Sequence, residues 1–288
     1  MEARVRRHRV SHANHFHYSL SGKPMLPRIL FLHGFLGSGR DFNGAIAHLT
    51  DQFCCITIDL PGHGQTRVEG GDEQYTMANT ARALIHWLDE LRIPRCFLAG
   101  YSMGGRLALY LALHFPQWFP TVVLESASPG LKTEQERQER LQRDRQLADQ
   151  LEIDFSSFLI HWYQQPLFYS LQQHPEFEQM MQRRSQNRSS EIAKSLRYLS
   201  TGRQPSLWNL LATHRQPLLL LVGGRDRKFC QINQEMAECC PAARLEIVPE
   251  CGHPIHLEQP TIFANWVRTA CTMDLDQVVS ARKNPSIW

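Results

Sequence analysis

Near-continuous apolar runs recur along the chain: ILFLHG (29–34), CCITIDL (54–60), CFLAGY (96–101), TVVLES (121–126), LLLLVGG (218–224) and RLEIVPE (244–250). Between most of them lie stretches with a different period. TMANTARALIHWLDEL (76–91) repeats its apolar residues at three and four positions, the spacing of one helix face. Strands that are hydrophobic on both faces, alternating with helices, predict a mostly parallel sheet covered on both sides, an α/β fold. HFHYSL (15–20) alternates instead and predicts an edge strand with His15 and His17 on one face.

The alternation fails between about Gly130 and Pro217. That segment turns polar, rich in Gln and Arg, and helical: KTEQERQERLQRDRQLADQL, then FLIHWYQQPLFYSL, then MQRRSQNRSSEIAKSLRYL. A helical insertion between two late strands is expected over the carboxyl edge of the sheet, where ligands bind. Residues 1–130 and 211–288 are accordingly assigned to the core and 131–210 to a helical lid. The lid carries 11 lysines and arginines against 10 aspartates and glutamates, so its arginines matter by position rather than by bulk charge. Beyond Met273, DLDQVVSARKNPSIW has little pattern and reads as a loosely held tail.

With 288 residues and 42% hydrophobic content, the chain can bury one large core carrying an insertion. A net charge of +3 is too mild for a nucleic-acid binder. The basic residues Arg4, Arg6, Arg7 and Arg9 precede no apolar segment of the kind a secretory signal needs, and no stretch reaches the roughly 18 apolar residues of a membrane span. A soluble, cytoplasmic protein is expected. The eight cysteines include two adjacent pairs, Cys54-Cys55 and Cys239-Cys240, and no C-x-x-C, a pattern of structural thiols rather than zinc ligands or disulfides. His8, His12, His15 and His17 cluster too, and read as solvated or packed rings rather than a metal site.

Chemistry enters with LAGYSMGGR (98–106). Gly100-Tyr101-Ser102-Met103-Gly104 fits G-x-S-x-G, the nucleophile elbow of the α/β-hydrolase fold, and it follows an apolar strand and precedes a helical run as that motif requires. A serine hydroxyl is a poor base or nucleophile until a histidine takes its proton and an acid orients that histidine. The chain order for this fold is Ser, acid, His. Asp226 at the end of LLLLVGGRD and His253 in PECGHPIHLEQP occupy strand-end loops in that order. His256 and the acids Asp144 and Asp149 are rivals; His256 fits a packed residue at a helix start, and the two aspartates fit a solvated lid. HGFLGS (33–38) supplies the turn expected to aim the Phe35 amide at the reaction centre, with the Met103 amide as second oxyanion donor. Such a site can stabilise a tetrahedral oxyanion or an enolate, so hydrolysis and proton abstraction both stay open. Arg106, four residues after Ser102, shares its helix face, a cation that a cutter of neutral esters would not need.

HGFLGSGRDF, DLPGHG, GYSMGGR, ESASPGL, WYQQPLF, GGRDRKF and CGHPIHLEQP, in this order from about Arg28 to Trp266, resemble the 2-succinyl-6-hydroxy-2,4-cyclohexadiene-1-carboxylate synthase family of menaquinone and phylloquinone biosynthesis. The resemblance implies a lyase on a hydrolase fold. Its substrate would be the tricarboxylate 2-succinyl-5-enolpyruvyl-6-hydroxy-3-cyclohexene-1-carboxylate, which loses a ring proton and expels pyruvate. It implies three anion-binding arginines, Arg106, Arg140 and Arg184, the last flanked by Arg183 and Arg188. It also implies aromatic partners at Tyr101 and Trp162. Rigid guanidinium forks suit three carboxylates. No metal or organic cofactor is needed. The alternative enzyme is a serine hydrolase of esters or of ring-cleavage carbon–carbon bonds, although Pro254 follows His253 where relatives of the latter kind commonly carry Trp. A ligand-sensing receptor on the same fold is a further alternative.

Overall fold

A computed structural model describes residues 14–283. Nine strands are present among them: β1 (Asn14–His15), β2 (Tyr18–Ser21), β3 (Arg28–Leu32), β4 (Cys54–Ile58), β5 (Arg67–Val68), β6 (Phe97–Tyr101), β7 (Val122–Glu125), β8 (Leu218–Gly223) and β9 (Ala243–Val248). Seven form one sheet in the order β2-β4-β3-β6-β7-β8-β9, and β1 with β5 makes a small separate ribbon. Within the seven-stranded sheet only β2 runs antiparallel to its neighbour, and β4, β3, β6, β7, β8 and β9 pair in parallel; the β1–β5 ribbon is antiparallel.

The reason the strands read as unbroken apolar runs is visible in their alternation. Leu30, Leu32, Ile56, Ile58, Leu98, Leu124 and Leu220 face one core, which the helices Met77–Glu90, Met103–His114 and Arg227–Cys239 cover. Ile29, Phe31, Cys55, Ala99, Val123 and Leu221 face the other, closed by Phe42 and by Phe263 and Val267 of the helix Pro260–Lys283. A sheet buried on both sides has no polar face to reveal. Cys96 and Cys240 join the first core and Cys55, Cys251 and Cys271 the second, whereas Cys239 is exposed; burial pushes the thiols of Cys55 and Cys96 up to about 12.

Between β7 and β8 the chain leaves the sheet for a run of helices, chiefly Glu134–Ile153, Phe155–Tyr163, Phe177–Arg184 and Ser189–Tyr198. They bury an apolar cluster of their own, including Ala148, Leu151, Phe158, Met180 and Ile192, which takes Leu36 from the loop after β3. The first of these helices opens with a capping box, Thr133 and Glu136 satisfying each other's end of the turn.

Two expectations need correction. Residues 274–283 continue the helix Pro260–Lys283 instead of forming a tail, and 284–288 lie outside the described residues. HFHYSL is not one uniform strand: β2 starts at Tyr18, His17 Nδ1 lies 3.0 Å from Asp59 ahead of it, and His15 belongs to the β1–β5 ribbon, 3.2 Å from Glu69. The basic residues Arg4, Arg6, Arg7 and Arg9, with His8 and His12, lie outside the described residues. Among the described residues no helix is long and apolar enough to cross a membrane.

Candidate active site

The site begins where β6 ends. Tyr101 closes the strand, Ser102 turns at φ 50° and ψ −107°, and Met103 opens the helix Met103–His114. A left-handed φ on a non-glycine residue is strained by about 1–3 kcal/mol, and the neighbours make it possible. A Cβ on Gly104 would collide with the carbonyls of Leu32 and His33, and one on Gly100 would stand 2.6 Å from the Gly104 carbonyl oxygen. With hydrogens there, the helix packs directly on β3 and β6, and the serine hydroxyl is lifted to the carboxyl edge of the sheet.

The loop after β8 brings Asp226, whose Oδ1 accepts from the Phe229 amide and caps the helix Arg227–Cys239. The loop after β9 brings His253. Asp226 Oδ2 lies 2.6 Å from His253 Nδ1, and His253 Nε2 lies 3.0 Å from Ser102 Oγ. Both Asp226 and His253 are buried. With its Nδ1–H donated to Asp226, the imidazole leaves Nε2 to accept from the serine hydroxyl. The ring is held edge and face by Phe229 at 4.7 Å, Tyr101 at 5.2 Å and Phe168 at 6.0 Å between centroids. The sequence-derived trio therefore converges, and the rivals go elsewhere. His256 is buried against Glu125 at 2.8 Å, as a packed histidine. Asp149 sits on the surface with Arg197. Asp144 departs from the solvated-lid expectation: it is 1% exposed, and binds Arg140 Nε at 2.7 Å and the Ser200 hydroxyl at 2.6 Å.

Phe35 and Met103 both line the same cavity as Ser102. Met103 is the first residue of its helix, where amide N–H groups have no partner within the helix and the dipole favours negative charge. The Phe35 turn is set by His33, whose Nδ1 binds the Gly34 carbonyl at 2.7 Å and whose Nε2 accepts from the Leu60 amide at 2.9 Å. Burial lowers the His33 pKa against the pull of Asp59, keeping the ring neutral and able to serve as both donor and acceptor.

The cavity measures about 1080 Å³ and is walled by the strand-end loops below and the inserted helices above. Arg106, Arg140 and Trp162 line it with Ser102 and His253. Arg106 is the distinctive group. Its guanidinium donates to Gln204 Oε1 at 2.8 Å and to the Leu199 carbonyl at 2.9 Å, both neutral acceptors, and among the described residues no carboxylate pairs with it. Burial, with Arg140 nearby, lowers its pKa to about 10, which leaves it a cation at neutral pH. Two of five donors are committed; a cation left in this state is suited to an incoming anion. Arg140 spends Nε on Asp144. Trp162 stacks on Phe158 at 5.6 Å and meets Phe35 edge-on at 5.0 Å.

Two expected ligands are not in the cavity wall. Arg184 is buried, its fork bound bidentately to Asp41 at 2.7 and 2.8 Å and its Nε to the Tyr163 hydroxyl at 3.1 Å, so its donors are committed to the protein. Tyr101 lies behind the serine, packed on Gly34, His253 and His256. Burial, reinforced by Glu125, raises its phenol well above the usual value. Lys228 and Arg143 line the cavity, and sequence reasoning passed over both. Lys228 had a signal: it lies two residues past Asp226, in the first turn of the helix that the acid caps.

A family model described as the alpha/beta hydrolase fold matches residues 27–260, and the chain belongs to that family. Within it, a Bacillus subtilis (strain 168) protein provisionally named 2-succinyl-6-hydroxy-2,4-cyclohexadiene-1-carboxylate synthase is 40% identical over 83% of this chain and 88% of its own. The synthase of that name from Enterobacter sp. (strain 638) is 34% identical over 85% of this chain and 91% of its own. Among solved structures, one titled as MenH from S. aureus superposes with a TM-score of 0.85 at 34% identity, covering 90% of this chain and 99% of the other. These likenesses place the chain in the 2-succinyl-6-hydroxy-2,4-cyclohexadiene-1-carboxylate synthase family of α/β-hydrolase enzymes.

Proposed function

We propose that this protein is a lyase of menaquinone or phylloquinone biosynthesis. It eliminates pyruvate from 2-succinyl-5-enolpyruvyl-6-hydroxy-3-cyclohexene-1-carboxylate to give 2-succinyl-6-hydroxy-2,4-cyclohexadiene-1-carboxylate, the product for which its relatives are named. The observation that carries the reading is Arg106: a guanidinium that pairs with no carboxylate among the described residues, one helical turn from a serine that a histidine can deprotonate.

In the mechanism that follows, Asp226 orients His253, which takes the Ser102 proton. The serine oxygen then removes the ring proton next to the succinyl ketone. The electron pair passes through the enolate, held by the Phe35 and Met103 amides, and expels the enolpyruvyl oxygen as the enolate of pyruvate; the ring proton restores the Ser102 hydroxyl, and the proton held by His253 passes to the leaving enolate to give pyruvate. No acyl-serine forms. Arg106 and Arg140 hold substrate carboxylates, and Trp162 bounds the ring. Residues 131–210 act as the lid that closes water out once the anion is bound. General-base action contributes about 10² to 10⁴ in rate, and each oxyanion donor about 10² to 10³.

The test is a coupled assay that supplies freshly made substrate and follows pyruvate and ring-diene absorbance. Wild type should release both, and Ser102→Ala should lose at least about 10³-fold in kcat. Rapid turnover of a neutral p-nitrophenyl ester with no pyruvate released would replace the lyase by the serine hydrolase.

A further inference from the structure

The triad has a part that none of its three members supplies: something must set the distance between the serine of β6 and the imidazole of a loop more than a hundred residues later. Two consecutive residues at the end of β7 touch both sides. The Ser102 amide donates to the Glu125 carbonyl at 2.9 Å, extending the β6–β7 ladder by one residue past Tyr101. The Glu125 side chain, fully buried, accepts from the His256 amide at 2.9 Å and meets His256 Nδ1 at 2.8 and 2.9 Å. Ser126, turned to a left-handed φ of 48°, donates its hydroxyl to the His253 carbonyl at 2.8 Å.

We infer that Glu125 and Ser126 form a clamp that positions the catalytic base against the nucleophile, with His256 as the handle by which the loop is gripped. The loop 253–256 is seized at both ends: at the carbonyl of the residue that does the chemistry and at the amide and ring of the residue one turn on. The His256 ring is immobilised between Tyr101 at 4.6 Å and Phe42 at 4.5 Å, and its Nε2 is buried with no hydrogen-bond partner among the described residues. Its bonded polarity is therefore directed at Glu125. A buried carboxylate is costly unless it is fully hydrogen-bonded, and a strained serine at Ser126 is a second cost in the same dipeptide. Both costs meet where the serine and histidine must be held within hydrogen-bonding reach. A different tie, from the Arg225 amide to the Cys251 carbonyl at 2.9 Å, joins the histidine loop to the loop of Asp226. The clamp adds the link to the nucleophile.

The inference rests on the triad reading above but not on the identity of the substrate. Phosphorylation of Ser102 by diisopropyl fluorophosphate, with loss of fluoride, needs the serine–histidine contact and no particular substrate, so it tests the clamp even if wild type releases no pyruvate, the result that would remove the lyase reading alone. A misplacement near 1 Å costs about 10² in rate. Glu125→Gln should therefore slow labelling by about 10- to 100-fold and shift its pH profile while the protein still unfolds cooperatively. On the physiological assay the loss should fall on kcat with KM retained. Ser126→Ala, which keeps the Glu125 grip and removes one hydroxyl, should slow labelling about threefold to tenfold, and it carries the test if Glu125→Gln does not fold. Labelling at the wild-type rate in either folded variant would overturn the clamp.

Discussion

The strand-end loops and the inserted helices wall one cavity, yet they place polar groups by different rules. In the loops each functional residue is fixed by the backbone: Ser102 by a strained turn, Asp226 by a helix cap, His253 by the tie between its loop and that of the acid. In the inserted helices the position of an arginine depends on which face of its helix is turned inward. Arg140 lines the cavity, while Arg184 lies beneath, locked to Asp41 and Tyr163. The geometry of Ser102, His253 and Asp226 is local to strand ends, and the placement of Arg140 and Arg184 is a product of helix packing.

The largest expected effect tests the buried side of that contrast. Arg184→Ala leaves Asp41 as a buried carboxylate without its cation and should cost about 3–5 kcal/mol of stability, read as a fall in denaturant midpoint at unchanged slope, while KM for the tricarboxylate moves little. Burial raises the Asp41 pKa, but the charge and hydrogen bonds of Arg184 outweigh this and hold it below the usual value. A depressed carboxyl contributes stability that is present in full above the unfolded pKa near 4 and lost as pH falls through the folded value. Wild type should therefore lose part of this term as the buffer is taken from pH 5 to pH 3, and the difference from the variant should shrink. A large rise in KM with stability intact would put Arg184 in the binding set after all and erase the contrast.

Next in size is Arg106→Ala. Truncating a cation that meets a substrate carboxylate typically costs about 2–5 kcal/mol, so kcat/KM for pyruvate release should fall at least about 30-fold. Hydrolysis of a neutral ester, if present, should change only a fewfold. Equal losses on the two substrates would make Arg106 a packing residue for the Gln204 and Leu199 segment.

How far these distinctions could be read beforehand follows from the same physics. The parallel sheet was legible because strands buried on both faces must be apolar throughout, as LLLLVG of β8 is. The convergence of Ser102, Asp226 and His253 was legible because the three residues are tied to strand ends and to a fixed chain order. The inserted helices were harder, since Gln- and Arg-rich segments show little apolar contrast to reveal their inner face. The signal was there in part. Met180 and Arg184 are the buried residues of Phe177–Arg184 and stand one turn apart, and Asp144, Ala148 and Leu151 form the buried stripe of Glu134–Ile153. That spacing turns Asp144 and Arg184 inward without saying what they meet. Asp41, which lies 143 residues from Arg184, had no local signature at all.

The smallest expected effect concerns Lys228, which stands at the border between the two regions: on a core helix, yet facing the insertion across the cavity. Burial lowers its pKa, and the like charges of Arg140 and Arg143 lower it further against the pull of Asp226. A lysine under such repulsion gains from any anion that enters beside it, so Lys228→Gln should raise KM for the tricarboxylate about threefold to tenfold with kcat nearly unchanged. The sign of the pH effect follows from the lowered pKa: the attraction is complete while the ammonium is protonated and fades as pH rises through a value below that of an ordinary lysine. Wild-type KM should thus climb earlier on the alkaline side than that of Lys228→Arg, whose charge persists, and Lys228→Gln should show no climb from this source. If all three proteins share one alkaline KM profile, Lys228 does not meet the substrate. The anion-binding wall would then be confined to Arg106 on the helix behind the nucleophile and to the arginines of the inserted helices.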